Sequence, residues 1–548
     1  MRFAFRIPAF AFTYGLISAL APLRAQGADP VSALPAASAS PAATVDPSTL
    51  DGKVLFGYQG WFGCPGSWGG NWSHWGNPPS GVSVDMYPDL TDFAKSDLCA
   101  VPGYGPNGTT AYFFSARNPK VTDMHFKWMQ DYGLDGVLIQ RFVSDIPGLK
   151  SQGDAVLKNI LASSAKYGRV VAIEYDVTGS SFTTWAANLE ADWKYLNDQF
   201  HISTQPNYLR HKGRPLVSVW GVGLNESRNP PNTPGEAMAM LDWFHKTAPV
   251  AYQASIMGGV PAGFRTLSRD SRTDKGWLDV WKAMDAVQPW NVGRYSGLSG
   301  VKNDYTPRTA ADQKWLADAG VTYMPVIFPG YSFYNANHAK PKNEIPRLGG
   351  NFLWQQAMGA KAAGAPAIKI AMFDEVNEAT AMFKVVSKRS EAPPAGWWLA
   401  LDGDGMDLPS DWYLRLAGEL TAVQHGTKTP ADIIPIKPAD AWVLDTHGGG
   451  IHVGNPAMRW RRSQEGIRFS VAGSASHLVL NDARGGTVAR LPIAGGNAVW
   501  NLRNGSGGRV AAGVYGAHPE FSPLPGNGRA AGAGSGSQTS LVSVGASE

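Results

Sequence analysis

Cysteine is nearly absent: the 548-residue chain has two, Cys64 and Cys99. Two thiols cannot build a cysteine-rich zinc site, and the eleven histidines show no His-Glu-x-x-His or comparable spacing, so no metal centre is expected. Charged residues are sparse at 17%, and they nearly balance at +4 without a concentrated basic run. That excludes the footprint of a nucleic-acid-binding protein. Beyond the N-terminus no apolar run approaches the roughly 18 residues of a membrane-spanning helix.

What is present first is an address. Arg2 and Arg6 precede an apolar run from Ile7 to Ala21 and small residues ending at Ala25, the pattern of a secretory signal peptide. A secreted, periplasmic or cell-surface location follows as an expectation. In an oxidising compartment Cys64 and Cys99 are expected to pair; two free buried thiols are the alternative. The chain is rich in tryptophan and tyrosine, 20 and 18 residues. Planar faces that stack on sugar rings are one use for them, and large core side chains the other. Gly60–Asn77 concentrates Trp61, Phe62, Trp68, Trp72 and Trp75 among glycines, so it reads either as a stacking surface or as a self-packed lid pinned by Cys64.

Composition divides the chain into residues 1–25 (signal), 26–49 (an Ala/Pro/Ser linker), 50–426, a Pro-rich linker at 427–439, a small unit at 440–520 and a Gly/Ala/Ser-rich, disordered tail at 521–548. Within 50–426 eight apolar or β-branched runs alternate with amphipathic stretches: Val54–Gly60, Gly136–Phe142, Arg169–Val177, Pro215–Gly221, Ala251–Gly259, Ala286–Trp290, Thr322–Gly330 and Ala367–Glu375. This predicts a (β/α)8 TIM barrel with long loops. The second unit shows short alternating runs, Ile467–Val471, His477–Leu480, Thr487–Leu491, Ala498–Leu502 and Ala511–Tyr515, which predict a small all-β immunoglobulin-like sandwich.

A barrel places its chemistry at the C-terminal ends of its strands. The polar residues that close each run are therefore candidates for one pocket: Tyr58 and Trp61, Gln140 and Arg141, Glu174 and Asp176, Trp220, Asn291 and Arg294, and Tyr331. Carboxylates, amides, arginine and aromatics around one cavity suit a hydroxyl-rich ligand, since each sugar hydroxyl donates and accepts while its C–H face is apolar. Arg141 could equally neutralise Glu174 or Asp176, and Trp220 could be core. The eighth run is the most informative, because it breaks into acid at Asp374, Glu375 and Glu378. Carboxylates crowded at the end of a buried strand repel one another and lose hydration, which folding alone does not call for. Two glutamates there can supply the pair of carboxyl groups that glycoside hydrolysis needs.

Phe373-Asp-Glu-Val-Asn-Glu-Ala-Thr380 resembles the Phe-Asn-Glu-Trp-His-Glu-Gly-Thr signature of glycoside hydrolase families 99 and 71, the endo-α-mannosidases and α-1,3-glucanases. Phe373, Glu375, Glu378 and Thr380 match; Asp374, Val376, Asn377 and Ala379 depart. Weaker likenesses occur in family order, among them Ser115–Val121, Ala172–Asp176, Phe328–Tyr331 and Arg347–Gly350. The resemblance implies a retaining glycosidase, acting within an α-linked mannan- or glucan-type chain and needing no metal or organic cofactor. It implies that Glu375 takes the proton from the substrate's own 2-hydroxyl as that oxygen attacks the anomeric carbon, while Glu378 protonates the leaving oxygen. Leu480–Val488, Trp500 and Gly513–Tyr515 resemble FlgD-like immunoglobulin-type modules. A second reading is a carbohydrate-binding protein that kept the barrel and lost turnover. A third, cell-surface association, rests on the C-terminal module alone.

Overall fold

The computed structural model describes residues 44–226, 230–440, 458–463, 466–471, 475–481, 487–494, 497–510, 513–521 and 540–544. The expected signal peptide and most of the first linker lie outside these residues. Among the described residues no helix is long and apolar enough to cross a membrane.

Eight strands each lead into a helix. In order they are β1 (Val54–Tyr58), α1 (Pro119–Asp131), β2 (Gly136–Phe142), α2 (Ile146–Tyr167), β3 (Val170–Asp176), α3 (Trp185–Phe200), β4 (Arg214–Trp220) and α4 (Pro234–Asp242). Then come β5 (Ser255–Pro261), α5 (Trp277–Ala283), β6 (Ala286–Trp290), α6 (Thr306–Asp318), β7 (Thr322–Tyr323 and Val326–Ile327), α7 (Asn351–Ala362), β8 (Ile368–Ile370) and α8 (Trp412–Gln424). All eight strands pair in parallel, and the sheet closes through the broken β7, whose first piece meets β6 at Ala286 and whose second meets β8 at Lys369. Pro325 explains the break, since it has no N–H to give a ladder, although its carbonyl still accepts from Lys369 N at 3.1 Å. Where β2 begins beside β3, Gly136 (φ 155°) is required: a Cβ there would lie 1.8 Å from the Val170 carbonyl oxygen.

Strands buried on both faces explain the near-continuous apolar runs that made the barrel legible. The fifth run is the one displaced, because Val250–Tyr252 forms a 3-10 turn with Val250 83% exposed, so β5 starts at Ser255 instead of Ala251. Cys64 and Cys99 are joined by a disulfide, Cα atoms 6.4 Å apart.

The expected linker at 427–439 is docked on the barrel. The Ala431 carbonyl accepts from Trp354 Nε1 at 2.7 Å, the Asp440 carbonyl from Arg415 at 2.7 Å, and Ile436 is buried in the main core. Proline-rich composition marked an irregular backbone and could not show that its apolar residues were seated. Beyond it two antiparallel sheets form, of three strands (Met458–Ser463, Gly466–Val471, Asn497–Trp500) and four (Thr487–Pro492, Ala475–Asn481, Gly513–Phe521, Ser540–Val544). Their shared core includes Ile467, Phe469 and Trp500 from one and Leu478, Leu480 and Ala517 from the other. Ser540–Val544 belongs to the stretch expected to be disordered; it pairs antiparallel with Gly513–Ala517.

A chain ending after Asp440 should therefore fold with a barrel unfolding midpoint within a few degrees of the full chain. One ending at Gly426 loses Ile436 and two indole- or guanidinium-held carbonyls and should be less stable by about 2–4 kcal/mol in denaturant titration. Equal stability of the two truncations would refute the docking argument.

Candidate active site

After β8 the chain turns inward as Asp374-Glu375-Val-Asn-Glu378, and each of these residues is held by a neighbour. Asp374, 1% exposed, accepts from Gln59 N (2.8 Å) through one oxygen and from Gly60 N (2.9 Å) through the other. The Val376 carbonyl accepts from Asp85 N and Met86 N at 2.9 and 3.2 Å. Asn377 Nδ2 donates to the carbonyls of His74 (2.8 Å) and Ser83 (3.1 Å). Buried Arg347 donates to the Ala379 and Ala381 carbonyls, both at 2.8 Å. Ala379 stands at φ 52° where the resembled signature has glycine, a left-handed conformation that costs an alanine about 1 kcal/mol and that these contacts sustain.

Glu375 is 2% exposed, and its Oε1 accepts from Asn377 N (2.7 Å) and Glu378 N (3.3 Å). Burial first, then the neighbouring Glu378 and Asp374 charges, push its carboxyl well above the usual range, against the pull of those two amides. Burial likewise raises Glu378 to about 7, opposed by the Lys340 ammonium. The Glu378 charge is the second cause of the Glu375 rise, so the two carboxyls influence each other's titration. Tyr331 is in the field of both: burial, then Glu378, Glu344, Asp85 and Glu375, hold its phenol protonated and able to donate.

Of the residues the sequence nominated, the structure gathers Glu375, Glu378 and Tyr331 together. Trp61 is tied to the acidic turn only indirectly, stacked on His74 (3.8 Å, 6°), whose carbonyl accepts from Asn377 Nδ2. Trp61 also stacks on Phe142 at 5.5 Å, and Trp75 is fully buried, so much of the loop is the self-packed lid. Gln140 reaches inward and donates to Glu174 at 3.0 Å. Trp220 meets Trp290 edge-on at 5.3 Å. Asp176, at the β3 end, caps the following turn by accepting from Thr178 N.

Others turn away. Tyr58 is core, bonded to His125 Nδ1 at 2.8 Å and stacked on Phe373. Arg141 points to the helix layer, where Asp192 (2.5 and 2.7 Å) and Asp154 (3.0 Å) hold it. Adjacent strand residues face opposite sides, so Gln140 inside requires Arg141 outside. Asn291 bridges Arg308 to the Val326 carbonyl, and Arg294 pairs with Asp270 at 2.9 Å. Glu174 lies in the barrel interior against Lys369 (2.5 Å), Gln288 (2.5 Å) and Ser218 (2.8 Å). It is a neutralised structural ion pair.

Asp85 and Lys340 were not foreseen. Asp85 carries the loop after β7, accepting from Ser332 Oγ, Tyr334 N and Asn335 N at 2.6–2.7 Å. Both sit in irregular loops with no periodic signal. The lone Lys369 inside the apolar β8 run was a usable sign that a buried counter-charge existed. Among the described residues no group of three or more His, Cys, Asp or Glu is arranged to hold a metal ion.

No protein-family model matches the sequence, and no curated protein matches it. Solved structures do. The chain is similar to the GH99 endo-α-mannosidase of Bacteroides thetaiotaomicron, in complex with bis-tris-propane (17% identity, TM-score 0.51) and on its own (16%, 0.51). Each match covers 70% of this chain and 100% of the mannosidase chain. At that identity the likeness establishes the fold, a glycoside hydrolase-like barrel.

Asp374 must offer two acceptors to two amides, which an asparagine cannot. Asp374→Asn should cost about 1–3 kcal/mol in chemical denaturation. By removing a charge it should also lower the Glu375 titration, followed by NMR of labelled carboxyls. Unchanged values for both would show that Asp374 neither clamps the loop nor bears on Glu375.

Proposed function

We propose that the protein is an exported glycoside hydrolase that cleaves an α-linked glycan of mannan or glucan type, within the chain and with retention, using Glu375 and Glu378. The observation that carries this is a glutamate pair delivered by the last barrel strand, both carboxyls pushed above their ordinary range, with no cation paired to either at hydrogen-bond distance among the described residues. Folding gains nothing from such a pair, whereas acid–base chemistry requires it. The Cys64–Cys99 bond supports an oxidising compartment.

The roles are those that the signature resemblance implies: Glu375, held by two amides that favour its anion, is the base, and Glu378 is the acid. Glu375 then removes the proton of the substrate 2-hydroxyl as that oxygen bonds to the anomeric carbon, and Glu378 gives its proton to the departing oxygen. In the second half Glu378 takes a proton from water, whose oxygen opens the strained intermediate, and Glu375 returns its proton to the 2-oxygen. The Tyr331 hydroxyl is placed to steady Glu378 or a sugar oxygen.

The division of labour is testable. Glu378→Ala should lower cleavage of a natural glycosidic bond by roughly 10²–10⁴-fold, yet largely spare a glycosyl fluoride, whose leaving group needs little proton assistance. Glu375→Ala should impair both. A folded Glu375→Ala enzyme active on both substrates would sink the assignment, and binding without turnover across mannans and glucans would favour the carbohydrate-binding alternative.

A stability signature accompanies the chemistry. Glu378 rises from an ordinary 4.5 to about 7 on folding, so between those values the native chain holds more proton than the unfolded one. Its contribution to stability is therefore fullest below 4.5 and is lost as pH rises through 7. Glu378 keeps some exposure, so about 1–2 kcal/mol is expected. Unfolding of the wild type at pH 5 and 8, beside Glu378→Gln, checks this: the glutamine should flatten the decline, and an equal decline in both would contradict it.

A further inference from the structure

Acid–base chemistry at Glu375 and Glu378 leaves unused a row of side chains at the ends of β2, β3, β4 and β6. Gln140, Ser218 and Gln288 all reach Glu174 inside the barrel. Side chains alternate along a strand, so Phe142, Asp176, Trp220 and Trp290, each two residues further on, face the interior as well, at its C-terminal end. The sheet register makes them neighbours: Phe142 stands opposite Asp176, Asp176 opposite Trp220, and Trp290 opposite Pro261 of β5. Beneath the row Glu174, Ser218 and Gln288 are fully buried, whereas its three aromatic rings are only half-buried.

Trp220 on β4 and Trp290 on β6 are separated by a whole strand, yet their ring centroids lie 5.3 Å apart with the planes at 84°. Gly259 of β5 permits this. It stands opposite Trp220 on one side and Gln288 on the other, and a Cβ there would lie 2.7 Å from Trp220 Cα and Cδ1. Trp290 is steadied by the Lys369 ammonium, 5.7 Å from its ring centroid, whose charge Glu174 balances. Seating two large rings partly in water beside a glycine gains little burial, so folding alone does not call for it. A right-angled pair of indoles does suit a pyranose, whose C–H face stacks on a flat ring while its hydroxyls need partners at the rim. Asp176, in register with Trp220, is an acceptor at that rim, and its negative charge disfavours a sugar that carries a carboxylate.

We propose that the Trp220–Trp290 corner is a subsite that stacks a neutral pyranose unit of the glycan and discriminates against an acidic one. It rests on the glycosidase reading for its place in the substrate chain. The preference itself comes from the two indoles and Asp176.

The test uses the full chain with methyl α-D-mannopyranoside, methyl α-D-glucopyranoside and methyl α-D-glucopyranosiduronate, titrated by saturation-transfer NMR with irradiation of aromatic protons. At least one neutral glycoside should bind, roughly tenfold tighter than the uronate. Trp290→Ala should weaken the neutral glycoside roughly five- to tenfold, the scale of one aromatic contact, and Trp290→Phe should keep most of the affinity. Trp220→Ala serves where Trp290→Ala does not fold, since the Trp220 indole N–H has no partner among the described residues and its loss strands no acceptor. Asp176→Asn can still accept from Thr178 N and should narrow the gap between neutral glycoside and uronate. Binding of neither neutral glycoside, a uronate bound as tightly, unchanged affinity in a folded tryptophan-to-alanine variant, a phenylalanine no better than alanine, or an unchanged gap in Asp176→Asn overturns the proposal. Glycan turnover that Glu378→Ala abolishes but Trp290→Ala leaves unchanged in kcat/KM sinks this inference alone. Ring-dependent binding without turnover of any glycan sinks the reading of the glutamates and leaves the corner a binding site.

Discussion

Two hydrogen bonds from the loop after β1 to Asp374 fix the ends of the barrel to each other at the point where the chemistry would occur. The last strand has only three residues, Ile368–Ile370, and little ladder of its own with which to aim the acidic turn beyond it. A buried carboxylate accepting from Gln59 N and Gly60 N supplies that aim, since charge-assisted bonds in a dry setting are short and directional. From that anchor Glu375 folds back on the amides of Asn377 and Glu378, Asn377 reaches the Trp loop, and Val376 takes the strand-like stretch around Asp85. One turn of chain thus organises three loops, and Asp85 passes the order on to the loop bearing Tyr331 and Lys340. Rigidity in this turn explains how Ala379 can be kept in a conformation that alanine avoids.

The barrel could be read from sequence because parallel strands covered on both faces are written as unbroken apolar runs, which the eight strands largely are. Boundaries failed where a proline or an exposed turn interrupted the run, at Pro325 and at Val250–Tyr252. The glutamate pair was legible for a different reason: acid at the end of a buried strand conflicts with folding, and such conflicts mark function. Side-chain direction was not legible. Strand-end position nominated Gln140 and Arg141 together, yet alternation sends one to Glu174 inside the barrel and the other to Asp154 and Asp192 on its helices. Asp85 and Lys340 carried no signal at all, since their importance comes from where irregular loops bring them.

Tryptophan illustrates the limit of composition as a guide. The Trp loop was open to two readings, and the residues divide between them: Trp75 donates to the Phe114 carbonyl and fills the core, while Trp61 lines a cavity. A large aromatic count says that indoles are useful to the fold. Only the position of each ring tells which of them also reaches a cavity.

The same barrel buries carboxylates in two settings, and the contrast between them carries the functional argument. Glu174 meets a lysine, two amides and a hydroxyl from four other strands, so its desolvation is offset by a full set of donors, and Lys369 supplies the opposite charge. Glu375 feels the charges of Glu378 and Asp374, and Lys340, the cation that acts on Glu378, leans toward Glu344 at 3.4 Å. Removing a carboxyl from the first setting would strand a buried ammonium, whereas removing one from the second would relieve a repulsion. Burial alone therefore did not single out the pair; it was singled out by burial that two amides on Glu375 and the Lys340 charge offset only in part.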